Sequence, residues 1–173
     1  IDALMLAGAV NRVLVIAPLR VARTTWPEEA PKWNHTKHLK VVPIVGTPAE
    51  RKAAMIEDAD INTTNFEQIP WLISHWQYSF PWDMVIIDES TRLKSTRLMQ
   101  GSKRGAELLK VIFDIVKRVV LLTGTFAPNG LTDVYGQIFL LDKGQRLGRT
   151  YTAFENRWFG FQRAQDAVSN GRN

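Results

Sequence analysis

Short runs rich in valine and isoleucine recur along the chain without the polar alternation of a half-exposed strand. They occupy residues 13–17, 40–45, 59–62, 84–88 and 119–123. Strands of this composition are buried on both faces, as in a parallel sheet that is covered by helices. The pattern therefore predicts an α/β fold with three layers, in which helices cover both faces of a parallel sheet.

Segments with helical periodicity separate these runs. We expect helices over residues 20–33, 48–56, 65–76, 103–116 and 131–141, the first of them interrupted or kinked at Pro27. No internal repeat, low-complexity tract or linker divides the 173 residues, so we expect one domain over 1–173. The apolar pattern fades from Gln162, and we expect 162–173 to be poorly ordered or to belong to structure that continues beyond it.

Composition excludes several classes of function. The chain has no cysteine, which excludes disulfides and thiolate metal sites and is compatible with the reducing cytoplasm. The longest apolar run is about eight residues, far below the ~18 of a membrane-spanning helix, so we expect no membrane association. The 22 Lys and Arg residues outnumber the 17 Asp and Glu residues, and this net charge of +5 favours a polyanionic partner.

The histidines and several tryptophans are interpreted as structural residues. His35, His38 and His75 have no Cys or carboxylate companions at metal-ligand spacing, so we expect surface or packing roles for them. Four tryptophans lie in helical segments, where packing is the expected role rather than stacking on bases. These tryptophans are Trp26, Trp33, Trp71 and Trp76.

Two carboxylates follow the buried run Met84-Val85-Ile86-Ile87 directly, at Asp88 and Glu89. In an open parallel sheet, the carboxyl ends of the strands form the edge where ligands bind. An aspartate there can hold Mg²⁺ beside nucleotide phosphates, and an adjacent glutamate can orient or deprotonate a water molecule. The alternative is an acidic start to an ordinary loop.

Hydroxyl, amide and basic side chains follow the other runs. Leu122 is followed by Thr123-Gly124-Thr125, which can join a nucleotide site to another surface or can be a simple turn. Arg20 follows the first run at the start of a helix, where free backbone N–H groups can receive a phosphate. Gly46-Thr47 and the segment 63–67 follow the second and third runs.

A basic stretch follows the Asp-Glu pair. Residues 90–104 contain five cations and no carboxylate, a pattern that indicates either a strip facing phosphates or a solvated loop and helix start. These cations are Arg92, Lys94, Arg97, Lys103 and Arg104. Three cations farther along the chain also indicate either contacts with phosphate or a solvated loop; they are Lys143, Arg146 and Arg149.

Taken in order, these sequences resemble the first RecA-like lobe of superfamily-two helicases, in particular the Swi/Snf-like DNA translocases of phage type. The segment 17–20 resembles motif Ia of that family, Gly46-Thr47 motif Ib and 63–67 motif Ic. Asp88-Glu89-Ser90-Thr91 resembles the Walker B or DEAD/DEAH box, and 123–129 resembles motif III. The resemblance spans nearly the whole chain.

The resemblance implies an ATP-dependent enzyme that moves on DNA, with ATP and Mg²⁺ as cofactors. Asp88 would bind the Mg²⁺ of MgATP, and Glu89 would position the hydrolytic water. Thr123 and Thr125 would couple the nucleotide state to the nucleic acid. A bacterial or phage-encoded protein of this family would work in the bacterial cytoplasm.

The same resemblance assigns a surface to DNA. Arg20, Thr47, Thr64 and Asn65 would face the DNA backbone, and the basic residues Arg92 and Lys94 extend this set by their position after the Asp-Glu pair. Contacts of this kind do not read sequence, so binding would be independent of sequence and sensitive to salt. A second RecA-like lobe of the same parent protein would be the protein partner.

The chain departs from the family in two places. Phe126 stands where the family has proline, which leaves the turn after Thr125 less constrained. Residues 1–173 contain no Gly-Lys-Thr or Gly-Lys-Ser loop, although this loop holds the β and γ phosphates in such proteins. We expect a partial lobe that is inactive without the missing loop and the second lobe.

Two alternatives differ in class from a motor. A non-catalytic module descended from such a lobe would keep only its binding surface for nucleic acid or a partner protein. A Rossmann-like enzyme acting on a small molecule would need a Gly-rich first turn, and the chain contains no G-x-G-x-x-G sequence.

Overall fold

A single parallel sheet forms the centre of the computed structural model, which describes residues 1–96 and 103–170. Its five strands lie in the order β2-β3-β1-β4-β5, and all neighbouring strands are parallel. The strands are β1 Val13–Ala17, β2 Val41–Pro43, β3 Ile61–Asn65, β4 Met84–Asp88 and β5 Arg118–Leu122. The expected three-layer RecA-like α/β fold is confirmed.

Helices connect consecutive strands. The α-helices are α1 Asp2–Leu6, α2 Trp26–Glu29, α3 Pro48–Ile56, α4 Ile69–Trp76, α5 Lys103–Ile112, α6 Val134–Asp142 and α7 Tyr151–Asn170. Short 3₁₀ turns accompany them at Ala30–Lys32, Phe66–Gln68, Gln77–Ser79, Ser90–Leu93 and Leu131–Asp133. A π-helical turn, Val21–Thr25, leads from β1 into α2. None of the helices in the described residues is long and apolar enough to cross a membrane.

The two faces of the sheet bury different side chains of the same strands. Leu14 and Ile16 of β1 pack with α3, α4 and α5 on one face. Val13, Val15 and Ala17 pack with α1 and the helical segment after β1 on the other face. Because both faces are covered, successive residues of β1 are all apolar, which explains its continuous run of aliphatic residues.

The third strand lies farther along the chain than its hydrophobicity indicates. Residues 59–62 are the predicted strand, whereas β3 is Ile61–Asn65 and is buried throughout. Its polar side chains bond to carbonyl groups of neighbouring elements: Asn62 Nδ2 to Val42 at 3.2 Å, and Thr64 Oγ1 to Ile44 at 3.0 Å. Thr63 Oγ1 likewise donates to the carbonyl of Ala22. Hydrogen bonding thus permits a polar sequence in a buried strand.

Two prolines lie in the first turns of helices. Pro27 lies in the first turn of α2, and the helical segment changes just before it from π-helical to α-helical. Pro70 lies in the first turn of α4, since the helix proper begins at Ile69 after a 3₁₀ turn. Proline is tolerated in a first turn because the N–H it lacks has no partner there. Residues 162–170, where the apolar pattern fades, continue α7.

The two outermost strands of the sheet, β2 and β5, differ. β2 contains only three residues and ends in Pro43. β5 contains five residues, pairs with β4 on one side within the described residues, and is the one described strand with no buried residue. Leu122 of β5 is 40% exposed, and Phe126 and Leu131 beyond its end are 48% and 68% exposed.

Candidate nucleotide site and nucleic-acid interface

The candidate site lies at the carboxyl edge of the sheet, between β1 and β4. Ile16 pairs with Ile87, and Asp88 pairs with Leu122, so β1, β4 and β5 end side by side. The chain leaves β1 toward β2 on one side and leaves β4 toward β5 on the other. Such a reversal opens a crevice above the strand ends. Asp88 and Thr123 therefore lie at the same edge of the sheet.

Asp88 and Glu89 present two carboxylates at this crevice. Asp88 is half-buried and Glu89 is exposed. Glu89 has a left-handed backbone conformation, with φ 60° and ψ 52°, so the chain turns sharply after β4. Among the residues whose side chains are described, no Lys, Arg or His forms an ion pair with either carboxylate. The protein thus leaves the negative charge of this pair available.

Trp26 contacts the first of these carboxylates. Its indole Nε1 donates a hydrogen bond to Asp88 Oδ2 at 3.3 Å. The ring is half-buried and packs against the core below β1, as expected of a packing residue. The polar contact is one that sequence reasoning missed. The two residues are 62 positions apart, and only the pairing of β1 with β4 brings them together.

Thr123 and Thr125 form a tight turn after β5. Thr123 Oγ1 donates to the carbonyl of Thr125 at 3.0 Å and accepts from its backbone N–H at 3.3 Å. Thr123 is half-buried and Thr125 is exposed. The next peptide is held as well, because Gln137 Nε2 donates to the carbonyl of Phe126 at 2.7 Å. A side chain of α6 therefore restrains the turn in which Phe126 replaces proline.

Comparison with known proteins gives the family of this chain. The model of the SNF2-related domain matches residues 4–167. The chain belongs to the SNF2-related domain family. It is 47% identical over 161 residues to putative protein p41 of Acyrthosiphon pisum secondary endosymbiont phage 1, covering 92% of this chain and 35% of that protein.

Two animal proteins are also similar to this SNF2-related domain. DNA excision repair protein ERCC-6-like of Mus musculus is 29% identical over 84% of the chain. SWI/SNF-related matrix-associated actin-dependent regulator of chromatin subfamily A-like protein 1 of Bos taurus is 32% identical over 73% of it. The chain spans 12% of each of these proteins and about a third of the phage protein, at 35%.

Two residues that the resemblance assigns to the DNA backbone are buried in this SNF2-related domain. Thr64 is 0% exposed and donates to the carbonyl of Ile44, so its side chain does not face outward. Asn65 is 4% exposed, and its Nδ2 donates to Glu67 Oε2 at 2.7 Å. Both side chains therefore make hydrogen bonds within the domain, and a contact of either residue with a phosphate stays a prediction.

Thr47 is exposed but acts as a helix cap. Its Oγ1 accepts from the backbone N–H of Glu50 at 3.3 Å, and Glu50 Oε2 accepts from the N–H of Thr47 at 2.6 Å. This reciprocal capping box begins α3. The hydrogen bond from the Thr47 backbone, followed by that from its side chain, holds the pKa of Glu50 below its ordinary value.

The basic stretch divides into paired and unpaired cations. Lys94 Nζ lies 2.9 Å from Asp133 Oδ2, so the structure does not leave it free for DNA. Arg104 lies 3.3 Å from Glu67. Arg92 is exposed, its guanidinium lies 5.5 Å from the ring of Phe66, and it has no ion pair among the described residues. Arg97 lies outside the described residues, and Lys103 is exposed at the start of α5.

The Glu67 carboxylate, just after the end of β3, interacts with the positive charges of two arginines. Partial burial raises the pKa of this carboxyl, but the hydrogen bond from Asn65 and the charges of Arg104 and Arg92 together hold it below its ordinary value. Arg20 is exposed at the start of the helical segment after β1 and forms no ion pair among the described side chains. Of the predicted backbone contacts, Arg20 and Arg92 are thus the two cations that form no ion pair among the described residues, although the charge of Arg92 acts on Glu67.

The remaining sequence predictions concern side chains away from the crevice. Within the described residues, no group of three or more His, Cys, Asp or Glu residues could hold a metal ion. His38 Nε2 lies 3.4 Å from Asp2 Oδ1, so the fold gives it a carboxylate neighbour that the sequence spacing does not show. Arg146 pairs with Asp142 at 3.4 Å, and Lys143 lies 5.1 Å above the ring of Phe113. Arg149 is exposed.

Proposed function

We propose that this chain is the N-terminal motor lobe of an ATP-dependent DNA translocase or helicase, in which ATP hydrolysis drives movement on DNA. The observation that carries the proposal is the pair of uncompensated carboxylates, Asp88 and Glu89, at the crevice of a SNF2-related domain. Thr123 and Thr125 lie at the same edge, one strand away. The bacterial cytoplasm, where DNA and ATP are available to a phage-encoded protein, is the proposed location.

The donor set suits magnesium bound to a nucleotide. Mg²⁺ is usually held by one or two carboxylates together with substrate phosphates and water, rather than by a cage of protein ligands. Asp88 supplies such a carboxylate, and Trp26 holds one of its oxygens. When bound, the ion neutralises negative charge that develops on the transferred phosphoryl group. Glu89 is exposed beside it and can orient or deprotonate the attacking water.

The DNA surface of this proposal rests on exposed cations. Arg20 follows β1 and Arg92 follows β4 at this edge of the sheet, and neither forms an ion pair among the described residues, although the charge of Arg92 acts on Glu67. Cations of this kind bind backbone phosphates and give affinity that does not depend on sequence. A net charge of +5 supports the same polyanionic partner.

The proposed lobe needs elements from outside these residues. Residues 1–173 contain no phosphate-binding Gly-Lys-Thr or Gly-Lys-Ser loop, and catalysis of phosphoryl transfer depends almost entirely on positioning and charge. We therefore expect the chain alone to hydrolyse ATP weakly or not at all. Activity is therefore tested in a larger protein, in which this chain is joined to such a loop and to a second lobe.

The decisive experiment replaces Glu89 by Gln in that larger protein. Glu89→Gln keeps the size of the side chain but cannot accept a proton, so turnover of ATP should fall by about 10²-fold or more while ATP binding remains. Glu57→Gln is the matched control, since Glu57 is an exposed carboxylate at the end of α3. Wild-type turnover by Glu89→Gln would contradict the catalytic assignment.

The same experiment separates the motor from a non-catalytic remnant. A remnant that kept only the basic surface would bind DNA without binding ATP, and Glu89→Gln would change nothing. Binding of ATP by the wild-type protein, with turnover that requires Glu89, is the result expected of the motor.

A further inference from the structure

Helix α6 joins the loop after Glu89 to the loop after Thr125 through one buried side chain. Gln137 is 0% exposed, and both ends of its amide are used. Its Oε1 accepts from Ser90 Oγ at 2.8 Å, and its Nε2 donates to the carbonyl of Phe126 at 2.7 Å. Ser90 directly follows Glu89, and Phe126 directly follows Thr125. One amide thus spans the gap between the two loops of the candidate site.

A second bridge runs parallel to the first, one helical turn earlier. Asp133 Oδ2 accepts from Lys94 Nζ at 2.9 Å and from the backbone N–H of Asn129 at 3.0 Å. Lys94 belongs to the loop after β4, and Asn129 belongs to the loop after β5. Residues 133 and 137 are four positions apart, so their side chains emerge from the same side of the helical segment.

Close backbone packing supports both bridges. Gly136 lies between the bridging positions, and a Cβ atom there would overlap the carbonyl of Lys94 and lie 2.9 Å from the backbone nitrogen of Thr96. The start of α6 therefore rests directly on the loop after β4. An aliphatic side chain at position 136 would push the helix away from this loop.

We propose that Gln137, supported by Asp133, is a positioning residue that makes the two loops move as one body. This inference rests on the proposed function, since it concerns how the nucleotide site communicates with the DNA surface. A buried amide with both ends bonded resists separation of its partners, because the parted groups would be left buried without hydrogen bonds. Movement of Ser90, next to the proposed nucleotide site, is therefore passed to the turn of Thr123 and Thr125.

The test uses Gln137→Met in the protein that contains the complete motor. Methionine has similar length and volume but cannot form either hydrogen bond. The ratio of kcat with DNA to kcat without DNA should fall about tenfold, within the usual range of coupling between sites, while KM for ATP changes little. An unchanged ratio would overturn the proposal.

Tyr135→Phe is the matched control on the same helix. It removes the hydroxyl that donates to the carbonyl of Gly148 at 3.2 Å, a contact that involves neither loop. It should lower the unfolding temperature without altering the kcat ratio. If Tyr135→Phe lowers the ratio as strongly as Gln137→Met, the effect of Gln137 is one of general stability and the proposal is wrong.

Ser90→Ala tests the bridge from its other end and keeps the proposal testable if Gln137→Met does not fold. It should also lower the kcat ratio, and the double variant should be no worse than the more affected single variant, because both changes break one bridge. Additive losses would contradict a shared path. Glu89→Gln, measured in parallel, distinguishes the two proposals. If Glu89→Gln turns over ATP normally, the proposed function is wrong. If Glu89→Gln loses turnover but Gln137→Met behaves as wild type, the proposed function stands and the coupling proposal is wrong.

Discussion

Glu89 has the least usual backbone conformation of the candidate site. Its φ of 60° lies in the left-handed region, which non-glycine residues rarely adopt, and such a conformation costs about 1–3 kcal/mol unless its surroundings compensate. The turn ends the alternation of side chains along β4 at Asp88. Strain of this kind is concentrated at functional positions, which agrees with the role proposed for this carboxylate.

At the same scale, Trp26 is expected to hold Asp88 in position for magnesium. Trp26→Phe keeps an aromatic ring but removes the N–H that bonds to Asp88 Oδ2. Loss of such a supporting hydrogen bond typically weakens metal binding by about 10- to 100-fold. Mn²⁺ binding in the presence of ATP, followed by electron paramagnetic resonance in the complete protein, measures this without relying on turnover.

Trp82→Phe provides the comparison for that measurement. Trp82 Nε1 donates to Asn62 Oδ1 at 2.9 Å inside the core, so the change removes an indole hydrogen bond of the same kind away from the crevice. It should reduce stability and leave Mn²⁺ affinity as it is. Equal effects of the two substitutions on Mn²⁺ binding would refute the positioning role of Trp26.

Arg20 carries the clearest prediction for DNA. Replacing this unpaired, exposed cation in Arg20→Gln should weaken binding of duplex DNA alike for all sequences and reduce the slope of log K against log salt by about one. Fluorescence anisotropy at several salt concentrations measures both. Arg12→Gln is the control, since Arg12 precedes β1, at the opposite edge, and pairs with Asp58 at 3.0 Å. An affinity that does not respond to salt would exclude phosphate contacts.

At the scale of elements, Asp83 ties the amino ends of three strands together. Its carboxylate accepts from the backbone N–H groups of Asn11 and Arg12, both at 3.1 Å, and lies 3.3 Å from Lys117 Nζ. Burial raises the pKa of this carboxyl, but the hydrogen bonds from Arg12, Asn11 and Lys117 hold it below its ordinary value of 3.8. The charged form is therefore the one that stabilises the fold.

This contact should make stability depend on pH in a defined direction. A carboxyl with a lowered pKa in the folded state contributes fully above its unfolded pKa and loses that contribution as the pH falls through its folded pKa. Asp83→Asn should lower the free energy of unfolding by about 1–3 kcal/mol at neutral pH. This difference from wild type should become smaller as the pH falls below 3.8, the ordinary pKa of the carboxyl group.

Urea denaturation at a series of pH values measures this difference. Asp58→Asn serves as control, because its side chain is 96% exposed and its ion pair with Arg12 should contribute little. A difference between wild type and Asp83→Asn that persists unchanged at low pH would show that the carboxylate charge is not responsible.

How far the elements could be predicted depends on how each one is stabilised. Strands built from Val and Ile, such as β1 and β4, follow from apolarity alone. β3 does not, because Asn62, Thr63 and Thr64 are buried through hydrogen bonds to carbonyls that are remote in sequence. The π-helical turn Val21–Thr25 was equally out of reach, since apolar periodicity does not distinguish it from an α-helix.

At the scale of the whole molecule, topology determines which site residues meet. In a parallel sheet the carboxyl ends of all strands lie at the same edge, so the proximity of Asp88 and Thr123 follows from sequence order and fold class. The contacts made by Trp26 and Gln137 do not, because each depends on how a helix packs against loops far away in the chain. The burial of Thr64 likewise depends on a neighbouring strand rather than on its own surroundings in sequence.

The unequal edges of the sheet have a consequence for assembly. β2 is short and ends in proline, a sequence that discourages further pairing, whereas the five residues of β5 pair with β4 alone within the described part of the chain. Any strand added in parallel beside β5 would finish next to Thr123 and cover Leu122. Extension of the sheet at β5 and burial of Leu122 would then occur together, so we expect a protein without such a strand to leave this side chain in contact with water.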